Sequence, residues 1–167
     1  MVLPGHLAIN NVKGATAKPQ PAGVDISVCE VYEFKSRGFI GVERRELPCV
    51  ERLEDVEGFW ALSPGVYKVR YCEVVEIPLE AVALCFPRSS LLRMGVDLRC
   101  TVWDPGYRGR GEGLLVVHNP YGVRLEKGVG VAQLVFVRLL EKPRQGYSGL
   151  YQGEGLEGDR SSSTATS

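Results

Sequence analysis

Arg88-Ser89-Ser90 is the first segment whose side chains could do chemistry. It places a guanidinium and two hydroxyls at the start of a short helical pattern. Backbone N–H groups at a helix start, a hydroxyl and a guanidinium can together cradle a phosphate. The same pattern also fits a capped surface helix with an exposed arginine. Local sequence leaves both interpretations open.

Asp104 stands at the end of a strand-like run, directly before Pro105-Gly106. A carboxylate fixed by such a turn could orient and deprotonate a water beside a ligand, provided that it stays ionised. The alternative is a plain turn residue, because an Asp before Pro and Gly often bonds to the nearby backbone.

Asp25 and Gln133 are two further polar residues in strand-like surroundings. Asp25 opens a strand pattern after Gly23, and Gln133 is the one polar side chain in the run 128–135. A lone Gln in a strand is usually a hydrogen-bonded core amide. Neither residue indicates a site by itself.

The elements that must position these residues are short strands. Gly and Pro recur at short intervals, and runs rich in Val, Leu, Ile and Tyr lie between them. Strands are predicted at 66–72, 73–77, 81–86, 114–118 and 131–140, with turns at Pro64-Gly65, Pro105-Gly106 and Asn119-Pro120. The one clear helical pattern runs from 89 to 94, capped by Ser89-Ser90 and ended by Gly95. This order predicts an all-β fold, a distorted jelly roll or β-barrel.

Composition limits the class of protein. The chain has 167 residues, which fits a single domain, and its 20 basic residues equal its 20 acidic ones. We therefore expect no nucleic acid polymer as partner. No apolar run approaches the ~20 residues of a membrane helix, and residues 1–10 lack signal-peptide features. The expected location is the cytoplasm, without membrane attachment.

The five cysteines are odd in number and lack CxxC spacing. Most lie in apolar strand-like runs, where a free Cys behaves as a small buried hydrophobe. Neither a disulfide nor a zinc site is expected.

The C-terminal stretch changes character at residue 144, where Gly, Ser, Gln and Tyr replace aliphatic residues. We predict a β domain over 1–143 and a flexible tail over 144–167, disordered in its last residues. Composition alone would make the whole stretch a frayed end.

In chain order, these segments resemble the five motifs of the trimeric dUTPase and dCTP deaminase superfamily. Ala-Gly-x-Asp is similar to the first, Arg-Ser-Ser to the second, Asp-x-Gly-Tyr-Arg-Gly to the third and Gly-x-x-x-Ala-Gln-Leu to the fourth. Residues 147–153 resemble the mobile fifth motif in its archaeal form. The likeness covers roughly 18–154, and 62–65 and 73–78 match the deaminase-like branch. No single motif is specific, but five in order are strong evidence.

The resemblance implies a role for each matching residue. Asp104 would orient the water that attacks the α-phosphorus. Tyr107 would pack under the deoxyribose and exclude a 2′-hydroxyl. Asp25 would help to hold a hydrated Mg²⁺ on the triphosphate. The phosphate-binding residues would be Arg88, Ser89, Ser90 and Gln133.

The resemblance also implies an assembly and a lid. Members of the family are homotrimers. In each active site one subunit supplies the second and fourth motifs, and a neighbouring subunit supplies the third. In the tail, Tyr151 would cover the base and Gln152 would reach the phosphates. The implied reaction converts dUTP and water to dUMP and pyrophosphate with Mg²⁺.

The choice between dUTPase and deaminase depends on one strand. The deaminases of this superfamily use a Glu there as proton shuttle, and alignment on Asn119 places Val116 at that position. Valine cannot transfer a proton, so dUTP hydrolysis is favoured. A bifunctional enzyme stays open, because Glu112 could substitute if an insertion followed it; however, Glu112 lies among glycines where a loop is expected. The His/Cys cluster of zinc-dependent deaminases is absent from the sequence.

A non-catalytic nucleotide-binding regulatory module is a further alternative. Such a module should have lost Asp104 or the tail aromatic, yet both are present.

Two departures from the family concern the segment 90–104. It is short, and it should form the hairpin that reads the base edge. No Asn lies there, so backbone groups within 96–101 would have to recognise uracil. Arg93 matches a deaminase-branch arginine and suits a structural role, a phosphate contact or a solvated charge.

Overall fold

Residues 1–156 of the computed structural model are described, and they fold mainly into strands. Two short helices, α1 Gly5–Ala8 and α2 Ser89–Arg93, and a 3₁₀ turn at Ile9–Asn11 complete the regular structure. The early strands are β1 Val12–Lys13, β2 Lys18–Gln20, β3 Gly23–Phe34, β4 Phe39–Ile40, β5 Arg45–Glu46, β6 Val50–Leu53, β7 Phe59–Leu62 and β8 Gly65–Tyr71. The later ones are β9 Val74–Glu76, β10 Ala81–Pro87, β11 Val96–Arg99, β12 Val102–Trp103, β13 Arg108–Gly109, β14 Glu112–Val117, β15 Val123–Glu126 and β16 Gly130–Arg138.

The main sheet is antiparallel, in the order β11-β14-β8-β3-β16-β10-β12. Its two edge strands, β11 and β12, are joined by Cys100 and Thr101 alone. Two edges linked by two residues must lie near each other, so the sheet curls into a half-barrel. The predicted all-β fold is confirmed.

Alternating burial places the core on one face of this curl. Along β14 every second residue, Gly113, Leu115 and Val117, is buried, and β8 alternates in the same way. This is the period of two expected for a sheet with one apolar face. The core lies inside the half-barrel, and its largest fully buried apolar side chains are Tyr71, Phe136, Ile26, Ile77, Leu115 and Leu134.

The predicted strands are confirmed as β8, β9, β10, β14 and β16, each within two residues at either end. Gly65 differs from the prediction, because it is the first residue of β8 rather than part of a turn. The predicted hairpin within 90–104 is wrong. β11 pairs with β14 and β12 pairs with β10, because the chain crosses there from one edge of the curled sheet to the other.

Helix α2 is confirmed, and Gly95 at φ +72° ends it. The predicted cap by Ser89-Ser90 is wrong. Arg88, extended at the end of β10, occupies the N-cap position, and no side chain caps the helix. Ser89 and Ser90 lie in the first turn and are exposed.

The expectation of no disulfide is wrong, since Cys29 and Cys72 are bonded, with their Cα atoms 4.8 Å apart. The register between β3 and β8 shifts at Cys29, between the pairs Val28–Tyr71 and Glu30–Arg70. This bulge in the middle of β3 brings Cys29 together with Cys72, which directly follows β8 and lies 43 positions away in sequence. Strand register is a tertiary property, so cysteine spacing did not reveal the bond.

None of the helices within residues 1–156 is long and apolar enough to cross a membrane. The tail is described only as far as residue 156, so the predicted disorder at its end lies outside the described residues.

Candidate functional site

The first, second and fourth motifs meet where β3, β10 and β16 lie side by side. Asp25 stands opposite Gln133, and Gln133 stands opposite Phe86, two residues before Arg88. The Arg88 guanidinium lies 3.0 Å from Asp25 Oδ2, and Gln20 Nε2 donates to the same oxygen at 2.8 Å. We call Gln20, Asp25, Arg88 and Gln133 the arginine cluster.

Packing in the arginine cluster leaves the guanidinium accessible. Asp25 is 3% exposed, whereas the Arg88 side chain is 40% exposed. A Cβ at Gly130 would stand 2.8 Å from Arg88 Nη1, so this glycine of the fourth motif makes room for the guanidinium. The cluster therefore presents one cation with a buried counter-charge, beside the exposed hydroxyls of Ser89 and Ser90. Such a surface can bind an anion.

The third motif forms a turn that is closed by backbone. The Tyr107 N–H donates to the Asp104 carbonyl at 3.1 Å, and Gly106 has φ +85°. Pro followed by Gly at positive φ is typical of a type II turn. Among residues 1–156 the Asp104 carboxylate has no hydrogen-bond or ion-pair partner, and the residue is exposed. The alternative of a side-chain turn cap is therefore not realised.

A cavity of about 330 Å³ opens beside this carboxylate. We call it the aromatic pocket. The Trp103 and Tyr107 rings meet edge to face at 5.2 Å, and the Tyr107 and Tyr147 rings at 5.8 Å. The lining residues are Thr101, Val102, Trp103, Asp104, Tyr107, Gly111, Glu112, Tyr147, Tyr151 and Glu154. Aromatic rings with a few polar groups suit a sugar and a base, whereas three carboxylates disfavour a phosphate.

The tail lies against the third motif of its own chain. Gln152 Nε2 donates to the Gly106 carbonyl at 2.9 Å, and the Arg108 N–H donates to Gln152 Oε1 at 2.9 Å. The Tyr147 N–H donates to the Pro105 carbonyl at 2.7 Å. Tyr151 lines the pocket, and its predicted role in covering the base stays a prediction. Gln152 is held here by backbone, so its predicted phosphate contact stays a prediction.

Tyr107 is buried under this tail and is only 6% exposed. Its hydroxyl donates to Glu154 Oε1 at 2.8 Å. Burial, and then the neighbouring Glu154 carboxylate, raise the pKa of Tyr107 above its ordinary value. The phenol thus remains a proton donor.

Glu112 is the first residue of β14, so the expectation of a loop is wrong. A Cβ at its neighbour Gly113 would stand 2.5 Å from the Tyr71 hydroxyl. That glycine therefore serves close packing rather than a loop. The Glu112 carboxylate accepts from Lys68 Nζ at 2.9 Å and from Arg70 Nη2 at 2.8 Å. Its charge is compensated by two cations.

Glu30 anchors the end of the third motif to the sheet. Arg110 Nη2 donates to it at 3.0 Å, Arg70 Nη1 lies 3.7 Å away, and Tyr32 donates its hydroxyl to the same side chain. Burial alone would raise the pKa of Glu30, but the Tyr32 hydrogen bond and the charges of Arg110 and Arg70 outweigh it and lower that pKa. Burial and the bond to Glu30 raise the pKa of Tyr32 to about 12.

Val116 and Arg93 lie outside the aromatic pocket. Val116 pairs with Val66 and Asp97 in the middle of β14. Arg93 is exposed, and its Nη1 donates to the Ser89 carbonyl at 3.0 Å. Of the three roles weighed for Arg93, this bond supports the structural one.

The arginine cluster and the aromatic pocket stand at opposite ends of β10. Trp103 pairs with Ala83, and the antiparallel chain then runs away from Arg88, so Asp104 falls beside Val82. Six residues of strand, at about 3.3 Å each, put roughly 20 Å between Arg88 and Asp104. A general base works within about 3 Å of the proton that it takes. The two halves of one chain therefore cannot act on the same phosphate.

The described residues offer no protein cage for a metal. Within 1–156 no three His, Cys, Asp or Glu side chains converge. Asp25 is already engaged by Arg88 and Gln20. This fits an ion brought by a ligand and contacted through its waters, and it does not fit direct coordination by several side chains.

Sequence reasoning did not single out Glu154, Trp103 or Gly130. Trp103 directly precedes Asp104, so its place in the third motif was a usable signal. Glu154 lies one residue beyond the resemblance to the fifth motif, and only the docked tail shows its contact with Tyr107.

Comparison with known proteins gives one family. The family described as dCTP deaminase-like matches residues 2–139. A probable deoxyuridine 5′-triphosphate nucleotidohydrolase of Aeropyrum pernix is 52% identical over 137 residues, covering 82% of this chain and 86% of the relative. The deoxyuridine 5′-triphosphate nucleotidohydrolase of Methanocaldococcus jannaschii is 36% identical over 138 residues, covering 80% and 86%.

Two solved structures share the fold. The 2′-deoxycytidine 5′-triphosphate deaminase of Agrobacterium tumefaciens has a TM-score of 0.60 at 19% identity, covering 81% of this chain and 46% of that one. The native dUTPase of EIAV has a TM-score of 0.53 at 16% identity, covering 82% and 94%.

Proposed function

The chain belongs to the dCTP deaminase-like family, and we propose that within it the chain hydrolyses dUTP to dUMP and pyrophosphate. The archaeal relatives named for this activity share 36–52% of aligned residues with it. The product dUMP would supply thymidylate synthesis. Hydrolysis would also keep the level of dUTP in the nucleotide pool low. This work belongs in the cytoplasm, where that pool is used.

The observation that carries the proposal is the free carboxylate of Asp104 at the edge of the aromatic pocket. An exposed carboxylate without a partner among residues 1–156 can take a proton from water. The water oxygen would bond to the α-phosphorus while the bond from that phosphorus to the bridging oxygen breaks, and pyrophosphate would leave. Tyr107, beneath the sugar, would exclude a 2′-hydroxyl.

We propose a homotrimer in which each site is shared. The ~20 Å between Arg88 and Asp104 in one chain supports a site in which the phosphate-binding residues and the general base come from different copies. Phe86, Leu92 and Met94, around the arginine cluster, expose large apolar side chains that a neighbouring copy would cover. Arg88, Ser89, Ser90 and Gln133 of one copy would then bind the phosphates of a nucleotide in the pocket of another.

Mg²⁺ would arrive with the triphosphate. Magnesium keeps several waters and commonly binds through substrate phosphates with one or two carboxylates. Asp25 is the residue that would accept hydrogen bonds from those waters. Such an ion would supply charge compensation for the leaving pyrophosphate.

We propose that the tail is a lid over the aromatic pocket. Tyr147 and Tyr151 already lie at this pocket and Gln152 bonds to the third motif. Tyr151 would cover the base, and Gln152 would exchange a backbone partner for phosphate when nucleotide is bound.

Deamination is the second candidate, because Glu112 lines the aromatic pocket. This carboxylate is already engaged by Lys68 and Arg70, and Val116 stands where the resemblance places the deaminase Glu. Hydrolysis without deamination is therefore the better supported reaction.

The proposal is tested by turnover of dUTP, dCTP, dTTP and UTP with Mg²⁺, following pyrophosphate and ammonia separately. We expect pyrophosphate from dUTP and no ammonia from dCTP. Ammonia at a rate comparable to that of pyrophosphate would assign the proton shuttle to Glu112. Binding of dUTP without release of either product would support the non-catalytic module.

A further inference from the structure

Within residues 1–156, Glu154 is the one tail side chain that accepts a hydrogen bond from the Tyr107 hydroxyl. The distance is 2.8 Å. The tail backbone holds Glu154 at this place. The Gly153 N–H donates to the Arg108 carbonyl at 2.9 Å, and the Arg110 N–H donates to the Glu154 carbonyl at 2.8 Å. Backbone contacts on both sides of the side chain therefore aim the carboxylate at the phenol.

The Tyr107 hydroxyl is also confined by the backbone at Gly109. A Cβ at Gly109 would stand 2.6 Å from the Tyr107 oxygen, so the phenol packs directly on this glycine. The ring edges of Trp103 and Tyr147 restrict the tilt of the Tyr107 ring. The hydrogen bond from the hydroxyl to Glu154 adds to this restraint.

We propose that Glu154 is a positioning residue that sets the discrimination between deoxyribose and ribose by fixing Tyr107. This inference rests on the proposed function, in which the Tyr107 ring lies beneath the sugar. A Tyr107 ring that is held by this hydrogen bond and by its packing keeps its distance from the sugar edge and excludes an added hydroxyl. A ring that can tilt gives way and admits it.

The charge of Glu154 is consistent with this role. A carboxylate repels phosphate oxygens, so Glu154 is unsuited to bind the triphosphate. A charged acceptor also strengthens its bond from a phenol. Raising the pKa of Tyr107, as burial and Glu154 do, keeps the phenolic proton in that bond.

The test measures kcat/KM for dUTP and for UTP in wild type, Glu154→Ala, Glu154→Gln and Tyr107→Phe. For Glu154→Ala we expect the ratio of UTP to dUTP to rise about tenfold, the effect of losing one hydrogen bond to a charged group. Glu154→Gln keeps an acceptor oxygen and should restore the ratio to within about threefold of wild type. In the Tyr107→Phe background, Glu154→Ala should add little, because the donor is already gone.

Glu126→Ala is the matched control, since it removes an exposed carboxylate on β15, which pairs with β7 and does not line the pocket, and it should leave the ratio unchanged. Equal losses with dUTP and UTP in Glu154→Ala, at a constant ratio, would show that Glu154 only docks the tail and would overturn the inference. An additive effect in the Tyr107→Phe background would overturn it too. A wild-type protein that turned over neither nucleotide would instead refute the proposed function, and the inference with it.

Discussion

At the scale of single residues, Asp25 and Asp104 carry the same carboxylate in opposite surroundings. Asp25 is buried and held by Arg88 and Gln20, so its charge positions the guanidinium. Asp104 is exposed, and the turn that holds it is closed by its backbone carbonyl. A carboxylate without a partner in residues 1–156 is available for proton transfer.

Asp104→Asn should lower kcat for dUTP by at least about a hundredfold, because a positioned general base contributes ~10²–10⁴-fold. The amide keeps the size of the side chain, and the turn does not depend on that side chain, so dUTP affinity and Tm should stay near wild type. Steady-state kinetics, dUTP titration and thermal unfolding provide the measurements. An unchanged kcat would remove Asp104 from the mechanism, and lost affinity would show that it binds substrate.

Glu30→Gln should make the free energy of unfolding fall less steeply as the pH is lowered into the acid range. The folded-state pKa of Glu30 lies below its ordinary 4.5, so its charge stabilises the fold above that value, and this stabilisation is lost as pH falls through the folded pKa. At pH 7 we expect the variant to lose about 1–3 kcal/mol of unfolding free energy, as for hydrogen bonds to a charged group.

The measurement is urea unfolding of wild type and Glu30→Gln from pH 7 downward, with exposed Glu126→Gln as control. The difference between wild type and Glu30→Gln should shrink below pH 4.5. A difference that persisted unchanged into acid would assign the loss to packing rather than to charge.

At the scale of elements, apolar runs between Gly and Pro predicted the strands that flank the site, because a half-buried strand has a period of two. The same reasoning did not find the partners of those strands. β11 and β12 looked like one hairpin, yet they lie at opposite edges of the sheet. Cys29 and Cys72 meet only through a bulge in the register of β3 and β8.

Some features of the candidate site were likewise predictable from the sequence, and others were not. Motif residues such as Arg88, Asp104 and Gln133 were predictable from type and order along the chain. The separation of Arg88 from Asp104 along β10 was implied only by the family resemblance and not by the local pattern, and the contact of Glu154 with Tyr107 was not predictable. Both depend on chain crossings between distant segments, which a local pattern does not encode.

The Cys29–Cys72 bond should stabilise the element pair β3 and β8. In denaturant under non-reducing conditions, three of the five cysteines should react with a thiol reagent. Cys29→Ala/Cys72→Ala should lose about 2–4 kcal/mol of unfolding free energy, because the bond closes a long loop. Cys49→Ala, an exposed free cysteine, is the control. Five reactive thiols in the untreated protein would contradict the bond.

Truncation after Lys142 should remove the lid while leaving the β domain folded. We expect Tm and oligomer size to stay near wild type and kcat/KM for dUTP to fall sharply, because Tyr147 and Tyr151 no longer close the aromatic pocket. A chain ending at Leu156 keeps the fifth motif and is the matched control. Normal turnover by the shorter chain would make the tail a frayed end.

At the scale of the whole molecule, the curled sheet places two incomplete half-sites at the two ends of β10. In the proposed mechanism the arginine cluster would offer its cation to phosphate, and the aromatic pocket would receive the base and the sugar beside the Asp104 carboxylate. Neither half would suffice alone, so the proposed mechanism needs copies arranged with the arginine cluster of one against the pocket of another. Loss of the oligomer should therefore abolish turnover without unfolding the chain.

The most direct test is complementation between two inactive variants. One is Asp104→Asn, and the other is Arg88→Met/Asp25→Asn, which removes both charges of the buried pair so that neither is left uncompensated. Each alone should be inactive on dUTP. Co-expressed in equal amounts and purified as mixed oligomers, they should recover about a quarter of wild-type activity, since half of the pockets keep Asp104 and half of those meet an intact Arg88. Mixed oligomers without activity would contradict a site shared between copies.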